Sequence, residues 1–226
     1  MSAPVVAVDG PSGSGKGTIS RLLAQRVGWH LLDSGALYRL VALSGSQARL
    51  AVDDVAGHAA LARVMQVEFG VAADGGERIL LGGAEVTSRV RDEATGQGAS
   101  RVAAWPAVRD ALMQRQRDFA QLPGLIADGR DMGTVVFPDA VLKVFLTASA
   151  EERAKRRYNQ LKDKGSAASL AALSREIAER DLRDSTRAVA PLRPASDAFV
   201  VDSTGVTVEA VLERVIELGR ARALWR

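Results

Sequence analysis

The chain contains no cysteine, which excludes disulfides, thiolate metal sites and cysteine nucleophiles together. Only two histidines occur, His30 and His58. They stand in no metal-binding spacing, and each reads as structural or solvent-facing. Aromatic residues make up 4% of the chain, and neither an aromatic-rich RNA-binding motif nor a zinc finger is present, so no nucleic-acid partner is expected. No uncharged apolar run approaches the roughly 20 residues that span a bilayer. The N-terminus lacks a basic segment followed by a long apolar one, so a secretory signal is not expected either. These absences fit a reducing compartment, and the protein is expected to be cytoplasmic and to keep away from membranes. There is also no Asn-Lys-x-Asp segment, which a GTPase would be expected to use for guanine.

What remains is ordinary in bulk. In 226 residues, 47% are hydrophobic and 25% charged, enough for one full core with room for a small lobe. The net charge is +3, because thirty basic residues nearly cancel twenty-seven acidic ones. No long-range field follows from that total, so the arginines are read as local anion contacts. No internal repeat, low-complexity tract or interdomain linker is visible, and no association face suggests anything but a monomer.

The order of patterns is α/β. Val5-Val6-Ala7-Val8 is an apolar, β-branched run suited to a central strand buried on both faces. Apolar residues at Ile19, Leu22, Leu23 and Val27 then predict a helix that Gly28 stops. Trp29–Leu32 reads as a strand and 36–43 as a helix, giving parallel βαβ construction. The middle changes period. Val67, Phe69 and Val71 alternate, a turn around Asp74-Gly75-Gly76 follows, then 78–81, Gly82-Gly83 and 84–86, an antiparallel meander with tight glycine turns. Pro106 opens a helix burying Val108, Leu112 and Phe119. Strands return at Leu125–Ala127 and Val141–Leu146. A charged helical region covers about 150–186, interrupted near Gly165-Ser166, before a strand at Phe199–Val201 and a helix at Val208–Leu218. The expected organisation is one P-loop-type core, 1–63 and 101–226, with a central parallel sheet flanked by helices. A small antiparallel β insert occupies about 64–100, and a lid about 150–168.

Between the first strand and helix lies Gly10-Pro11-Ser12-Gly13-Ser14-Gly15-Lys16-Gly17-Thr18. A glycine-rich loop in that setting can wrap phosphate oxygens with backbone N–H groups, and Lys16 would reach the β- and γ-phosphates of ATP. Gly17 takes the slot where the general pattern has Ser or Thr, which follows one residue later as Thr18. This Gly-Lys-Gly-Thr form resembles the nucleoside monophosphate kinases.

Arginines supply the next clue. Arg39 follows the second strand–helix junction, and Arg130 follows the Asp128-Gly129 turn. Arg180, Asp184 and Arg187 stand at i, i+4 and i+7, one helical face, which fits both an anion site and a solvated face laced with ion pairs. Arg153, Arg156 and Arg157 cluster at the start of the charged helix, as a lid over ATP or as a plain basic face. Phosphoryl transfer suits this inventory, because positioning and charge neutralisation supply most of the catalysis.

Asp33-Ser34-Gly35-Ala36-Leu37-Tyr38-Arg39, Ile126 through Pro138 with its Gly-Arg-Asp-Met-Gly-Thr run, and Glu179 through Leu192 resemble the bacterial cytidylate kinase family. With the phosphate loop and Asp202-Ser203-Thr204, the resemblance spans nearly the whole chain. It implies transfer of the γ-phosphoryl of ATP to CMP or dCMP, with Mg²⁺ as cofactor. It further implies that Arg39, Arg130 and Arg187 hold the acceptor phosphate with Ser34 and Tyr38 nearby. Ser100, Arg109 and Asp131 read cytosine, and Arg180 and Asp184 contact the sugar. Lys16, Arg130, Arg153 and Arg157 are the expected catalytic cations, and Arg156 joins residues 10–18 in binding ATP. Thr18 and Asp128 are the candidate groups toward magnesium, and Asp33 orients the acceptor side. The alternative for Asp33 and Asp128 is a turn or helix-capping role. Thr95-Gly96-Gln97-Gly98 departs from the pattern, since a helix is expected there and each interior glycine costs about 1 kcal/mol against alanine.

Two rivals stay open on sequence alone. One is a kinase of the same architecture for UMP, AMP or shikimate, against which Asp131 with Arg109 and the insert argue. The other is a regulatory module that binds ATP without chemistry, against which the second anion site argues.

Overall fold

A computed structural model describes residues 3–72, 76–163 and 169–225. The chain forms two compact units, residues 34–115 and the remainder.

The larger unit is built on a five-stranded parallel sheet of β1 (Val5–Asp9), β2 (His30–Asp33), β6 (Leu125–Gly129), β7 (Leu142–Thr147) and β8 (Phe199–Asp202). Their spatial order is β2-β6-β1-β7-β8. All five residues of β1 and of β6 are buried, the mark of parallel strands covered on both faces. Helices α1 (Lys16–Val27) and α9 (Val208–Arg220) cover this sheet. Ile19 and Leu23 of α1 and Val215 and Ile216 of α9 join Val6, Val8, Ile126, Val144 and Leu146 in one core. Gly28 ends α1 in a left-handed conformation, its N–H donating to the Ala24 carbonyl, as a C-terminal glycine does. After β6 the chain makes a single π-helical turn, Met132–Val136. The charged region resolves into α7 (Ala150–Asp163) and α8 (Leu170–Thr186). The expected break near Gly165-Ser166 lies outside the described residues, as does the lid's last stretch, 164–168.

The smaller unit begins with α2 (Ser34–Gln47), which follows β2 without a loop, and α3 (Val55–Val64). Asp54 caps α3 by accepting the Gly57 N–H at 2.8 Å. An antiparallel sheet follows, β3 (Val67–Val71), β4 (Glu77–Leu81) and β5 (Ala84–Glu85), in that order. Of the turn expected at Asp74-Gly75-Gly76, Asp74 and Gly75 lie outside the described residues. Helices α4 (Thr87–Arg91), α5 (Glu93–Val102) and α6 (Pro106–Arg117) complete the run.

Several expectations are corrected. The second strand sits one residue later than Trp29–Leu32, and its helix is longer than 36–43 at both ends. Helix α3 carried no expectation. Phe119 falls beyond α6 and is only half-buried. Arg187 lies just past α8 with an extended ψ of 140°, so it shares no helical face with Arg180 and Asp184. Helix α5 forms straight through Gly96 and Gly98 because both pack tightly. A Cβ at Gly96 would stand 2.7 Å from Arg39 Nη2, and one at Gly98 3.0 Å from Ala42 Cβ. Close approach of α2 and α5 outweighs the propensity cost of the two glycines.

Candidate active site

In the larger unit the phosphate loop leaves β1, the central strand. Gly10 passes so near β7 that a Cβ there would lie 2.0 Å from the Leu146 carbonyl oxygen. Gly15, with φ 92°, sets the left-handed entry to α1, a conformation that side chains disfavour. Lys16 is buried and its Nζ donates to the Pro11 carbonyl at 3.3 Å. Burial lowers its pKa to about 7; the nearby Arg130 and Arg180 push the same way, while Asp128 and Asp33 oppose. The departure at Gly17 has a spatial reason, since a Cβ there would come within 3.2 Å of Asp128 Oδ2.

Arginines of α7 brace this loop through its carbonyls. Arg153, buried, donates to Ser12 O at 3.1 Å and to Ala148 O at 3.0 Å. Its guanidinium forks onto Asp181 of α8 at 3.0 and 2.6 Å. Arg156 donates to Ser14 O at 3.4 Å, to Ser203 Oγ at 3.0 Å and to Ser203 O at 2.6 Å. Ser203 Oγ in turn donates toward Ser14 O and Thr147 O, each at 3.0 Å. Arg157 is half-buried and donates to Gln160 Oε1 of its own helix at 3.4 Å.

The end of β6 carries the second cluster. Asp33 and Asp128 are register partners at the ends of adjacent strands. Arg130 Nε donates to Asp184 Oδ2 at 3.1 Å. Asp184 is 4% exposed, which removes the solvated-face reading of this part of α8. Burial works to raise its pKa, but Arg130, Arg180 and Arg187 outweigh that and hold it below the ordinary carboxylate value. Arg187 Nη2 lies 3.7 Å from Asp131 Oδ1, both side chains almost fully buried. Two of these residues, Arg130 and Asp131, therefore enter ion pairs with residues more than fifty positions later in the chain.

The smaller unit assembles its own set. Ser34 and Tyr38 of α2 are buried, as are Ser100 of α5 and Arg109 of α6. The Arg109 guanidinium lies 5.8 Å from the Tyr38 ring centroid, within cation–π range, and donates to Ala103 O at 3.2 Å. Arg39 donates to the Val90 and Asp92 carbonyls at 2.8 and 3.0 Å, at the junction of α4 and α5.

Sequence reasoning gave no role to three residues that organise these sites. Asp181 holds Arg153, Ser203 links the last strand to the phosphate loop, and Asp9 accepts backbone bonds from Met132 and Gly133. The signal for Asp9 was its place as the last residue before the phosphate loop.

A glycine-rich loop opening a helix at the end of the central strand of a parallel sheet, with a buried lysine and arginines on the following segments, defines a P-loop kinase. Solved structures agree on the fold: a gluconokinase from Sinorhizobium meliloti superposes with a TM-score of 0.50 at 13% identity, covering 98% of this chain and 93% of its own. At sequence level the match is far closer. The chain belongs to the cytidylate kinase family, whose model matches residues 6–221. Curated cytidylate kinases of Pseudomonas aeruginosa (strain LESB58) and Pseudomonas syringae pv. tomato (strain ATCC BAA-871 / DC3000) are 60% and 58% identical to it. The first match covers 95% of this chain and 94% of the relative, the second 96% and 95%.

Proposed function

We propose that this protein transfers the γ-phosphoryl group of ATP to CMP or dCMP, giving ADP and CDP or dCDP. A phosphate oxygen of the acceptor forms the new bond to the γ-phosphorus as the bond to the β–γ bridging oxygen breaks. The observation that supports this reading best is the two ion pairs after β6, the partly buried Arg130–Asp184 and the buried Arg187–Asp131, in a chain of the cytidylate kinase family.

Each residue then has a task. The loop from Gly10 to Thr18 wraps the ATP phosphates, with Lys16 on the β- and γ-phosphates and Arg156 on the nucleotide. Arg153 and Arg157, with Lys16 and Arg130, neutralise charge on the transferring group. Arg39, Arg130 and Arg187 hold the acceptor phosphate, where forked guanidiniums suit an anion. Ser34 and Tyr38 assist, and Asp33 orients the acceptor side. Arg180 and Asp184 contact the sugar. Ser100, Arg109 and Asp131 read the base: Asp131 accepts from the cytosine amino group while Arg109 donates to its ring nitrogen and carbonyl. Uracil would turn a carbonyl oxygen toward Asp131, a mismatch of about 1–3 kcal/mol per stranded group.

Magnesium suits the residues present. Among the described residues no cluster of three or more His, Cys, Asp or Glu side chains could hold a metal. A magnesium ion bound mainly by phosphates and water, with one or two protein groups, needs no such cluster. Thr18 and Asp128 would hold it, directly or through water, and it would supply charge neutralisation at the ATP phosphates. The organisation proposed is a core of 1–63 and 101–226, an insert of about 64–100 and a lid of about 150–168, working as a monomer in the cytoplasm. Among the described residues no helix is long and apolar enough to cross a membrane.

The test is ADP release from Mg-ATP with CMP, dCMP, UMP, AMP, GMP and shikimate, for wild type and Asp131→Ala. Turnover confined to CMP and dCMP, with the preference over UMP lost in the variant, is expected. Turnover on another acceptor removes the cytosine assignment; ATP binding without any turnover favours a regulatory module.

A further inference from the structure

Asp9 is the last residue of β1 and the one that precedes the phosphate loop, yet its side chain does not serve that loop. Its Oδ1 accepts the Met132 N–H and its Oδ2 the Gly133 N–H, both at 2.8 Å. Met132 opens the π-helical turn, so these are two of the donors that a helix start leaves without an intrahelical partner. Everything around the fork is sealed: Asp9 is 5% exposed, and Met132 fully buried. Gly133 lies against the sheet, where a Cβ would stand 3.1 Å from Lys143 Cδ and 3.5 Å from Ala7 Cβ. On the strand side, Asp9 is the register partner of Gly129. The segment Gly129–Gly133 is therefore held by Asp9 at both ends, by sheet register at one and by the carboxylate at the other. Between those holds stand Arg130 and Asp131.

We infer that Asp9 is a positioning residue for acceptor selection: its carboxylate fixes the backbone that aims Arg130 and Asp131, and it does so from the strand that launches the ATP loop. This rests on the roles proposed above for Arg130 and Asp131. The geometry needs an acceptor oxygen at each branch of the side chain. An amide offers one oxygen, and its NH₂ would face a backbone N–H, donor against donor. The turn would then have to move, carrying Asp131 with it. Burial pushes the Asp9 carboxyl up to about 7, the two backbone bonds work against that, and the Asp131 and Asp128 carboxylates add to it. A group kept in so costly an environment, with both oxygens committed to one turn, is not filling space.

The experiment compares wild type, Asp9→Asn and Asp131→Ala in ADP release with CMP and with UMP, alongside the affinity of each for a non-hydrolysable ATP analogue. Asp9→Asn is expected to lower the CMP-over-UMP preference in kcat/KM by roughly tenfold, the factor for one lost hydrogen bond to a charged group. Affinity for the ATP analogue stays within about threefold, well under that factor. A merely structural cap would lower melting temperature and leave the CMP to UMP ratio unchanged, and that result overturns the inference. If Asp131→Ala also keeps the ratio, the base-reading role of Asp131 falls and this inference with it. If Asp131→Ala loses the ratio and Asp9→Asn keeps it, only the inference falls. Should Asp9→Asn fail to fold, the wild-type amide protons of Met132 and Gly133 decide. Both are expected far downfield and slow to exchange with solvent; amides that exchange as freely as exposed ones overturn the fork.

Discussion

Replacing Gly96 by alanine should damage the enzyme while leaving it folded. A Cβ at that position stands 2.7 Å from Arg39 Nη2 and 3.1 Å from its Cζ, so the guanidinium must swing away. It is the far end of a flexible side chain, and the steric cost is small. What is lost are two bonds, to Val90 O and Asp92 O at 2.8 and 3.0 Å, worth about 1.5 kcal/mol each at a partly solvated charged group. Water replaces part of that. Against it stands a gain of about 0.5–1 kcal/mol for alanine over glycine inside a helix. Stability should thus change by no more than about 1–2 kcal/mol, the difference of those terms. Function has no such compensation. Arg39, the arginine proposed to hold the acceptor phosphate, would be aimed elsewhere, and a misplaced charge-assisted contact of about 1.5–3 kcal/mol would raise KM for CMP roughly ten- to hundredfold.

Gly98 supplies the control. Its Cβ would meet Ala42 Cβ at 3.0 Å, two atoms without side-chain freedom, so α5 must shift as a body and lose packing worth about 1–3 kcal/mol. Gly98→Ala should therefore melt earlier and keep its KM for CMP better than Gly96→Ala does. Steady-state ADP release against CMP concentration, with thermal melts of both variants, separates the two. An unchanged KM for CMP in Gly96→Ala refutes the reasoning, because it would mean that Arg39 is not aimed by this close approach or does not hold the acceptor.

Two further outcomes follow from the larger unit. Asp181→Asn removes the charge partner of the buried Arg153. A loss of about 2 kcal/mol, or roughly 4–8 °C in melting temperature, is expected, with a weaker affinity for ATP read by nucleotide titration. Lys16→Met should abolish turnover yet raise the melting temperature of the ligand-free protein at neutral pH, because a cation whose pKa is lowered from 10.5 to about 7 is gone. For a lowered lysine, stability is fully present above 10.5 and is lost as pH falls through about 7. The stabilising effect of the substitution should therefore be largest below pH 7 and vanish toward 10.5.

The sequence was most informative where function is local. The run from Val5 to Val27 reads directly as strand, phosphate loop and helix, because buried parallel strands and helical periodicity leave marks within a few residues. Arg180 and Asp184 were legible as neighbours from their spacing, but nothing local says whether that face meets water; only the packing of α8 makes Asp184 a buried ion-pair partner. Gly96 and Gly98 looked like a helix fault and are instead the condition for α5 to approach α2. The partners of Asp9 are 123 and 124 positions away, and no period or motif reports a bond of that reach. The split is physical: propensity and periodicity are written within about three helical turns, while bonds such as those of Asp9 and Arg130 join segments far apart in sequence.

The charges of the larger unit explain why its loop lysine is the adjustable member. Arg130, Arg180 and Arg187 all act on Asp184, and Arg130 and Arg180 also act on Lys16. Guanidiniums do not give up their protons at accessible pH, whereas a buried amine does so readily. Repulsion and burial in this cluster must therefore be relieved at Lys16, as its pKa of about 7 reflects. Asp128 and Asp33 supply counter-charge, but not enough to restore an ordinary lysine. A triphosphate and an acceptor phosphate, the anions proposed to bind here, carry negative charge that would complement the cluster. An anion bound at the proposed sites would lower the cost of holding these cations together and favour the charged form of the lysine. If the proposed anion sites hold, a variant that relaxes this repulsion, such as Lys16→Met, gains stability at the expense of catalysis.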